Sequence, residues 1–271
     1  MRKIIVHPGA AHFDDVLSVS LILANHENDE FVIERRRPVQ TELDDPNVYI
    51  ADIGGVYNPQ KLNFDHHHDS SLPAAFVIVA RHFGLEDLLQ NEPWWNFKSD
   101  RDTMGPARVS KKYKTGRLGI AAAPLEDFII QKFSKGSRFL PNNCIYQLLR
   151  EFGQNLVKKV KFIHQQVEYF KTCPIVKIKN KIVLISQSKE KFGIQEFRKT
   201  MAEPADLLIY LDDRQEAWAV YRFDDFDDSI RLLDIKDHPR IRFVHANGFL
   251  AKTNELISLD ELYKILENAV C

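Results

Sequence analysis

The 271-residue chain has little cysteine, no excess of positive charge and no long apolar run. Its three cysteines, Cys144, Cys173 and Cys271, are scattered and share no metal-type spacing. Being odd in number they cannot form a fully paired disulfide framework, so a reducing compartment is expected. Lys and Arg total 37 against 38 Asp and Glu, a formal charge of -1. Bulk electrostatics therefore does not hold the chain to nucleic acid, and such a substrate would have to be gripped by a local patch. The apolar run after Met1-Arg2-Lys3 stops at His7, too short for a signal peptide or a membrane span. A cytoplasmic address with no membrane partner is the expectation, and oligomeric state stays open. What the chain does have is an ordinary globular balance, 44% hydrophobic and 28% charged, which argues against global disorder.

Along the chain, short strands alternate with helices. Lys3 to Val6 reads as a buried strand, followed by a loop from His7 to His12 and a helix that Asp14 or Asp15 could cap. Further strands are expected at Glu30 to Arg35, Val48 to Ile53 and Lys61 to Phe64, then a helix from Ala74 to Phe83. That order predicts an α/β unit with a mainly parallel sheet flanked by helices. Gly105 to Gly119 reads as a basic loop, and Asn143 to Lys171 as one long helix. After Cys173-Pro174 strands recur, closing with a helix after Ser258, which predicts a smaller C-terminal α/β domain. The expected organisation is thus residues 1–142 as a catalytic domain, 143–172 as a connector helix and 173–271 as a substrate-binding domain.

In parallel sheets functional groups gather at the carboxyl ends of strands. His7, Asp52 and Asp65 each follow an expected strand, beside a dense set of donors: His12 and Asp14, then His66, His67 and His68, then Asp100 and Asp102. Imidazoles mixed with carboxylates suit Mn²⁺, Zn²⁺ or Fe²⁺, whereas an all-oxygen site would favour Mg²⁺ or Ca²⁺. Two neighbouring cations need a bridging carboxylate, and Asp52 is the best placed for it. Each segment has an ordinary alternative: a helix cap at Asp14, a strand-to-turn exit at Asp52-Ile53-Gly54-Gly55, a chance histidine run at 66–68. Four such segments at loop edges of one α/β unit are harder to explain that way.

Asp65-His66-His67 is similar to the signature of the DHH phosphoesterase superfamily. The fuller set resembles the melanocyte-proliferating-gene (Myg) exonuclease branch of that superfamily: His7-Pro8-Gly9-Ala10-Ala11-His12-Phe13-Asp14-Asp15, Ala51-Asp52-Ile53-Gly54-Gly55-Val56-Tyr57-Asn58-Pro59, Asn63-Phe64-Asp65-His66-His67-His68, and Phe243-Val244-His245-Ala246-Asn247-Gly248-Phe249. The resemblance implies an N-terminal DHH-type domain and a C-terminal DHHA1-like one. It implies two divalent cations, usually Mn²⁺, held by His7, His12, Asp14, Asp52, His66 and Asp102, with Asp52 bridging. His67 would face the phosphate, Asp65 would orient a histidine, and His245 would meet the substrate from the second domain. Two departures stand out. Asp15 occupies a position where the branch has Glu. The stretch Ser99-Asp100-Arg101-Asp102-Thr103-Met104-Gly105 fits loosely, leaving Asp100 or Asp102 as the ligand, with Asp102 preferred because Gly follows it closely.

Arg108, Lys111, Lys112, Lys114 and Arg117, with Tyr113 among them, follow that segment and suit a phosphate backbone with a stacked base. The resemblance implies a 3′-5′ exonuclease on single-stranded RNA or short oligonucleotides. Pyrophosphate, polyphosphate or a dinucleotide are alternative substrates of the same superfamily. A non-catalytic, metal-binding regulatory protein is the reading from another class.

Overall fold

Runs of β-branched and apolar residues bounded by Pro, Gly or Asp set the first sheet. Its strands are β1 (Arg2–Val6), β2 (Phe31–Arg35), β3 (Val48–Ala51), β4 (Tyr57–Asn58), β5 (Asn63–Phe64) and β6 (Arg138–Phe139). Their spatial order is β4-β5-β3-β1-β2-β6. The central four run parallel, and β4 and β6 pair antiparallel at the edges. The registers align Phe64, Ala51, Val6 and Arg35 in one row across the parallel strands.

Helix α1 (Phe13–Ala24) follows β1 and is buried from Asp14 to Ala24, which is why it is apolar nearly all round. Its N-cap is His12, with the Asp15 carboxylate accepting from the His12 N–H at 2.8 Å. The capping that the sequence assigned to Asp14 or Asp15 is therefore a reach-back from Asp15, and Asp14 is used elsewhere. Between β2 and α3 (Ala75–His82) lies the short helix α2 (Gln40–Leu43). Pro59–Lys61 makes a single 3-10 turn, capped by the Asn58 side chain, so the expected strand from Lys61 shortens to Asn63–Phe64.

After α4 (Glu86–Leu89) and α5 (Trp95–Met104), the expected basic loop is instead helix α6 (Pro106–Tyr113). Pro106 pre-sets the first helical φ, Lys111 and Lys112 sit in the last turn, and Lys114 ends the helix at φ 51. Basic composition alone resembles a solvated loop, which is why the helix was not expected. Helix α7 (Pro124–Ser134) leads to β6 and then to α8 (Cys144–Phe170).

Gly153 of α8 lies against the backbone of α1, where a Cβ would stand 2.0 Å from the Ser20 carbonyl oxygen. No side chain fits between these two helices at that point.

The second sheet has β7 (Ile175–Ile178), β8 (Lys181–Ile185), β9 (Leu207–Leu211), β10 (Trp218–Arg222), β11 (Ile241–Val244) and β12 (Leu250–Thr253). Their order is β11-β12-β10-β9-β8-β7, with only β8 and β9 parallel. Period-two alternation gives it two apolar faces. Val183, Ile185, Ile209 and Val220 pack with α10 (Leu259–Glu267), while Leu184, Leu208 and Tyr210 pack with α9 (Ile194–Thr200) and Phe170.

This computed structural model describes residues 1–116, 123–212, 214 and 216–271. They divide into two compact units, 1–161 and 162–271, each α/β with its own sheet and core. No helix among the described residues is long and apolar enough to cross a membrane.

Candidate metal centre

The aligned row Phe64–Ala51–Val6–Arg35 fixes what comes next. One residue further along the same parallel strands stand Asp65, Asp52, His7 and Arg36. Helix α1 adds Asp14 and Asp15 through its first turn, its N-cap His12 stands just before it, and α5 adds Asp102 from its last turn.

Among the described residues three overlapping groups of donor atoms result: Asp52, His66 and His67; Asp14, Asp52, His66 and Asp102; and His12, Asp15 and Asp52. Within each group the atoms lie within 4.8 Å of one another, and Asp52 belongs to all three. His66 Nε2 stands 3.1 Å from Asp102 Oδ2, 3.3 Å from Asp52 Oδ1 and 3.5 Å from Asp14 Oδ2.

Despite these distances, His66 Nε2 and Asp52 Oδ1 are buried with no hydrogen bond of proper geometry, as are Asp15 Oδ1 and His7 Nδ1. Buried polar atoms are almost always partnered, so four orphans in one place call for a group that accepts lone pairs. A divalent cation is that group, and the N/O donor set suits it. The cluster is thus able to hold metal.

The electrostatics agree. Burial, with Asp52 and Asp102 beside it, pushes the Asp14 carboxyl well above its usual range, and burial with Asp52 does the same for Asp15. Burial pulls the His66 ring down, but Asp102, Asp52 and Asp14 outweigh it and carry the ring up to about 10. The proton this ring holds among carboxylates is one that a cation would displace on binding.

The cluster is fastened from behind. Asp14 accepts from the Ala75 and Phe76 N–H groups at 2.7 and 2.6 Å, so its two oxygens cap the start of α3. Asp65 accepts from the Gly55 N–H at 2.5 Å, the His67 N–H at 3.0 Å and His67 Nδ1 at 2.8 Å. Burial opposes its charge, yet these bonds hold the Asp65 carboxyl below its usual range. Asp52 sits at φ 59, in the left-handed region that short polar residues tolerate best.

The His7–His12 loop is tied down by Arg35, which donates to Gly9 O at 2.8 Å and to Ser134 O at 2.8 Å. Ser134 Oγ in turn accepts from the Ala11 N–H at 2.8 Å.

The remaining expected residues divide as follows. His7 lies outside the three groups and stacks on His12, ring centroids 5.8 Å apart. Asp100 turns to Lys112 and Tyr113, accepting from both at 2.6 Å, so it is Asp102 that joins the cluster. That pairing occupies Lys112, while Arg108, Lys111 and Lys114 are exposed. Arg117 lies outside the described residues, and His68 is exposed. His245, in the second unit, sits in the β11–β12 turn with its ring 4.0 Å from that of Phe249, and its Nδ1 accepts from the Asn247 N–H.

Sequence reasoning left out Asp15 as a donor and did not single out the run Arg35-Arg36-Arg37. The signal for the run was available: it follows β2 directly, at the sheet edge that carries every other strand-borne site residue.

Residues 3–74 match the model of the family MYG1_exonuc, described as Uncharacterised protein family (UPF0160). A stretch of 92 residues is 34% identical to a MYG1 protein of Chlamydia pneumoniae, covering 32% of this chain. The chain spans 31% of that relative's length. Among solved structures, a pGpG-specific phosphodiesterase, PggH, from Vibrio aligns over 98% of this chain and 97% of its own, at 15% identity and a TM-score of 0.31. RecJ in complex with Mn²⁺ from Thermus thermophilus aligns over 99% of this chain and 52% of its own, at 11% identity and a TM-score of 0.30. At TM-scores this low the two alignments carry no argument.

Proposed function

We propose that this chain is a two-cation phosphodiesterase of the DHH superfamily that shortens single-stranded RNA or short oligonucleotides from the 3′ end. The observation that carries the reading is the membership of Asp52 in all three donor groups. A carboxylate shared in this way is what a bridged pair of cations requires. The family match over residues 3–74 covers the segments that hold Asp14, Asp52 and His66 and adds support.

Residues 1–142 form the catalytic domain in this reading, 143–172 the connector, and 173–271 the part that receives substrate, with His245 as its contact. His12, Asp14, Asp52, His66 and Asp102 hold the cations, with Asp15 beside them and His7 closing the His12 side. When bound, the cations supply Lewis acidity to the phosphoryl group and acidify the attacking water. Asp65 Oδ1 occupies His67 Nδ1, so Nε2 is the ring nitrogen left to bind a non-bridging oxygen and stabilise its charge. The water oxygen attacks phosphorus, the bond to the 3′-oxygen breaks, and that oxygen takes a proton from solvent.

End-labelled single-stranded RNA incubated with the protein and Mn²⁺, with Mg²⁺, Zn²⁺ and Fe²⁺ as parallel arms, yields a ladder of shortened products in at least one arm. No shortening with any cation rejects the proposal. One observation favours a smaller substrate, pyrophosphate or a dinucleotide: Lys112 is spent on Asp100, which weakens the basic segment as a strand-binding surface. Release of phosphate or mononucleotide from those compounds, with RNA left intact, selects that reading.

A further inference from the structure

Three consecutive arginines leave β2 at the sheet edge that carries Asp65, Asp52 and His7, and they meet three different ends. Arg35 is buried and donates to the carbonyls of Gly9, Phe133, Ser134 and Gly136. Arg36 is held by Glu34 at 2.7 Å and by Glu42 at 2.6 Å. The Arg37 side chain is exposed and makes no ion pair or hydrogen bond among the described residues.

Arg37 and Pro38 line a cavity of about 480 Å³ whose other walls include His7, Asp52, Asp65, His67 and the Gly54-Gly55 turn. One cavity therefore holds an unspent guanidinium and residues of the metal centre. A guanidinium offers a planar fork of donors matched to phosphate oxygens. Strands lie ~4.8 Å apart, so Asp52, just past β3, and the residues leaving β2, with β1 between them, are roughly 10 Å apart at the backbone. Arg37 thus lines the same cavity as Asp52 but leaves a strand two places away from the one that Asp52 follows.

We propose that Arg37 anchors a second phosphate of the substrate, next to the scissile one. The inference rests on the phosphodiesterase reading and narrows it to substrates with at least two phosphate groups: oligonucleotides or phosphorylated dinucleotides. A phosphodiester standing alone has nothing for Arg37 to hold.

The test compares a 5′-phosphorylated dinucleotide with bis(p-nitrophenyl) phosphate, which has one phosphate. In Arg37→Ala the ratio of kcat/KM for the first to that for the second falls at least tenfold, through KM, and Arg37→Lys recovers part of it. An unchanged ratio overturns the proposal. Calorimetry in Ca²⁺ gives a readout without turnover. Adenosine 3′,5′-bisphosphate binds Arg37→Ala at least tenfold more weakly than it binds wild type, and adenosine 5′-monophosphate loses at most twofold. Equal losses, or none, overturn the proposal. If wild type hydrolyses no phosphodiester, the functional reading fails, while the calorimetry still decides the fate of Arg37.

Discussion

At the scale of the residue, Asp52 concentrates the demands of the site. It is buried, lies at φ 59 and shares atoms with three donor groups. Asp52→Asn keeps the left-handed backbone, which Asn tolerates, and removes the carboxylate shared by the three donor groups. In chelator the variant is expected to melt above wild type, because one of several mutually repelling buried carboxylates is gone. On adding Mn²⁺ the order reverses. Wild type at a hundredfold excess over its Kd gains about 2.7 kcal/mol, and the variant gains little. Melting curves in the two conditions decide this, and a variant that melts below wild type in chelator refutes the repulsion account.

Of the candidate donors, Asp52, Asp65 and His66 were legible at this scale because they follow strand ends, beside Gly54-Gly55 or one another. Arg37 was not, since three adjacent arginines look alike until their partners are known. The position of Asp100 depends on Lys112 and Tyr113, 12 and 13 residues away in the chain, which no short motif shows.

At the scale of the element, α1 shows how far the sequence carries. Its apolar run announces a buried helix, and its acidic first turn announces carboxylate donors. What cannot be read from one segment is the neighbour: Asp14 caps α3, 61 residues downstream, and Gly153 of α8 presses on Ser20. Gly153→Ala places a methyl group 2.0 Å from the Ser20 carbonyl oxygen and forces the two helices apart. Overpacking of this kind typically costs about 1–3 kcal/mol, and the rigidity of a backbone contact points to the upper end. Chemical denaturation checks the loss. A fall in Mn²⁺ affinity is expected with it, because the displaced helix is the one that holds Asp14 and Asp15. Helix α6 is the counterexample: its charges face water, so nothing in its apolar pattern marks a helix apart from Pro106 and the buried Val109.

At the scale of the whole molecule, two α/β units each carry a sheet and a core, and the cation-binding cluster belongs wholly to the first. Hydrogen exchange is therefore expected to slow on Mn²⁺ addition around β1, the start of α1, β3 and β5. The second sheet is expected to exchange at its former rate. Uniform slowing across both units would show that cation binding is not local. The change to strand patterning after Pro174 announces the second sheet, whose β7 begins at Ile175, whereas the mixed topology of that sheet was not legible, because pairing direction leaves no mark on a strand's own composition.

The in-line register of β5, β3, β1 and β2 has a further consequence for how this chain tolerates change. Its chemistry is delivered by backbone pairing, one step beyond a shared row. Deleting a single residue inside β1 or β3 would turn His7 or Asp52 to the opposite side of the sheet. Extra residues spliced into the segments that enter these strands from the far edge, such as 25–30, would leave every donor of the cluster where it stands. Length variation among functional relatives is thus expected on one rim of the sheet and forbidden on the other.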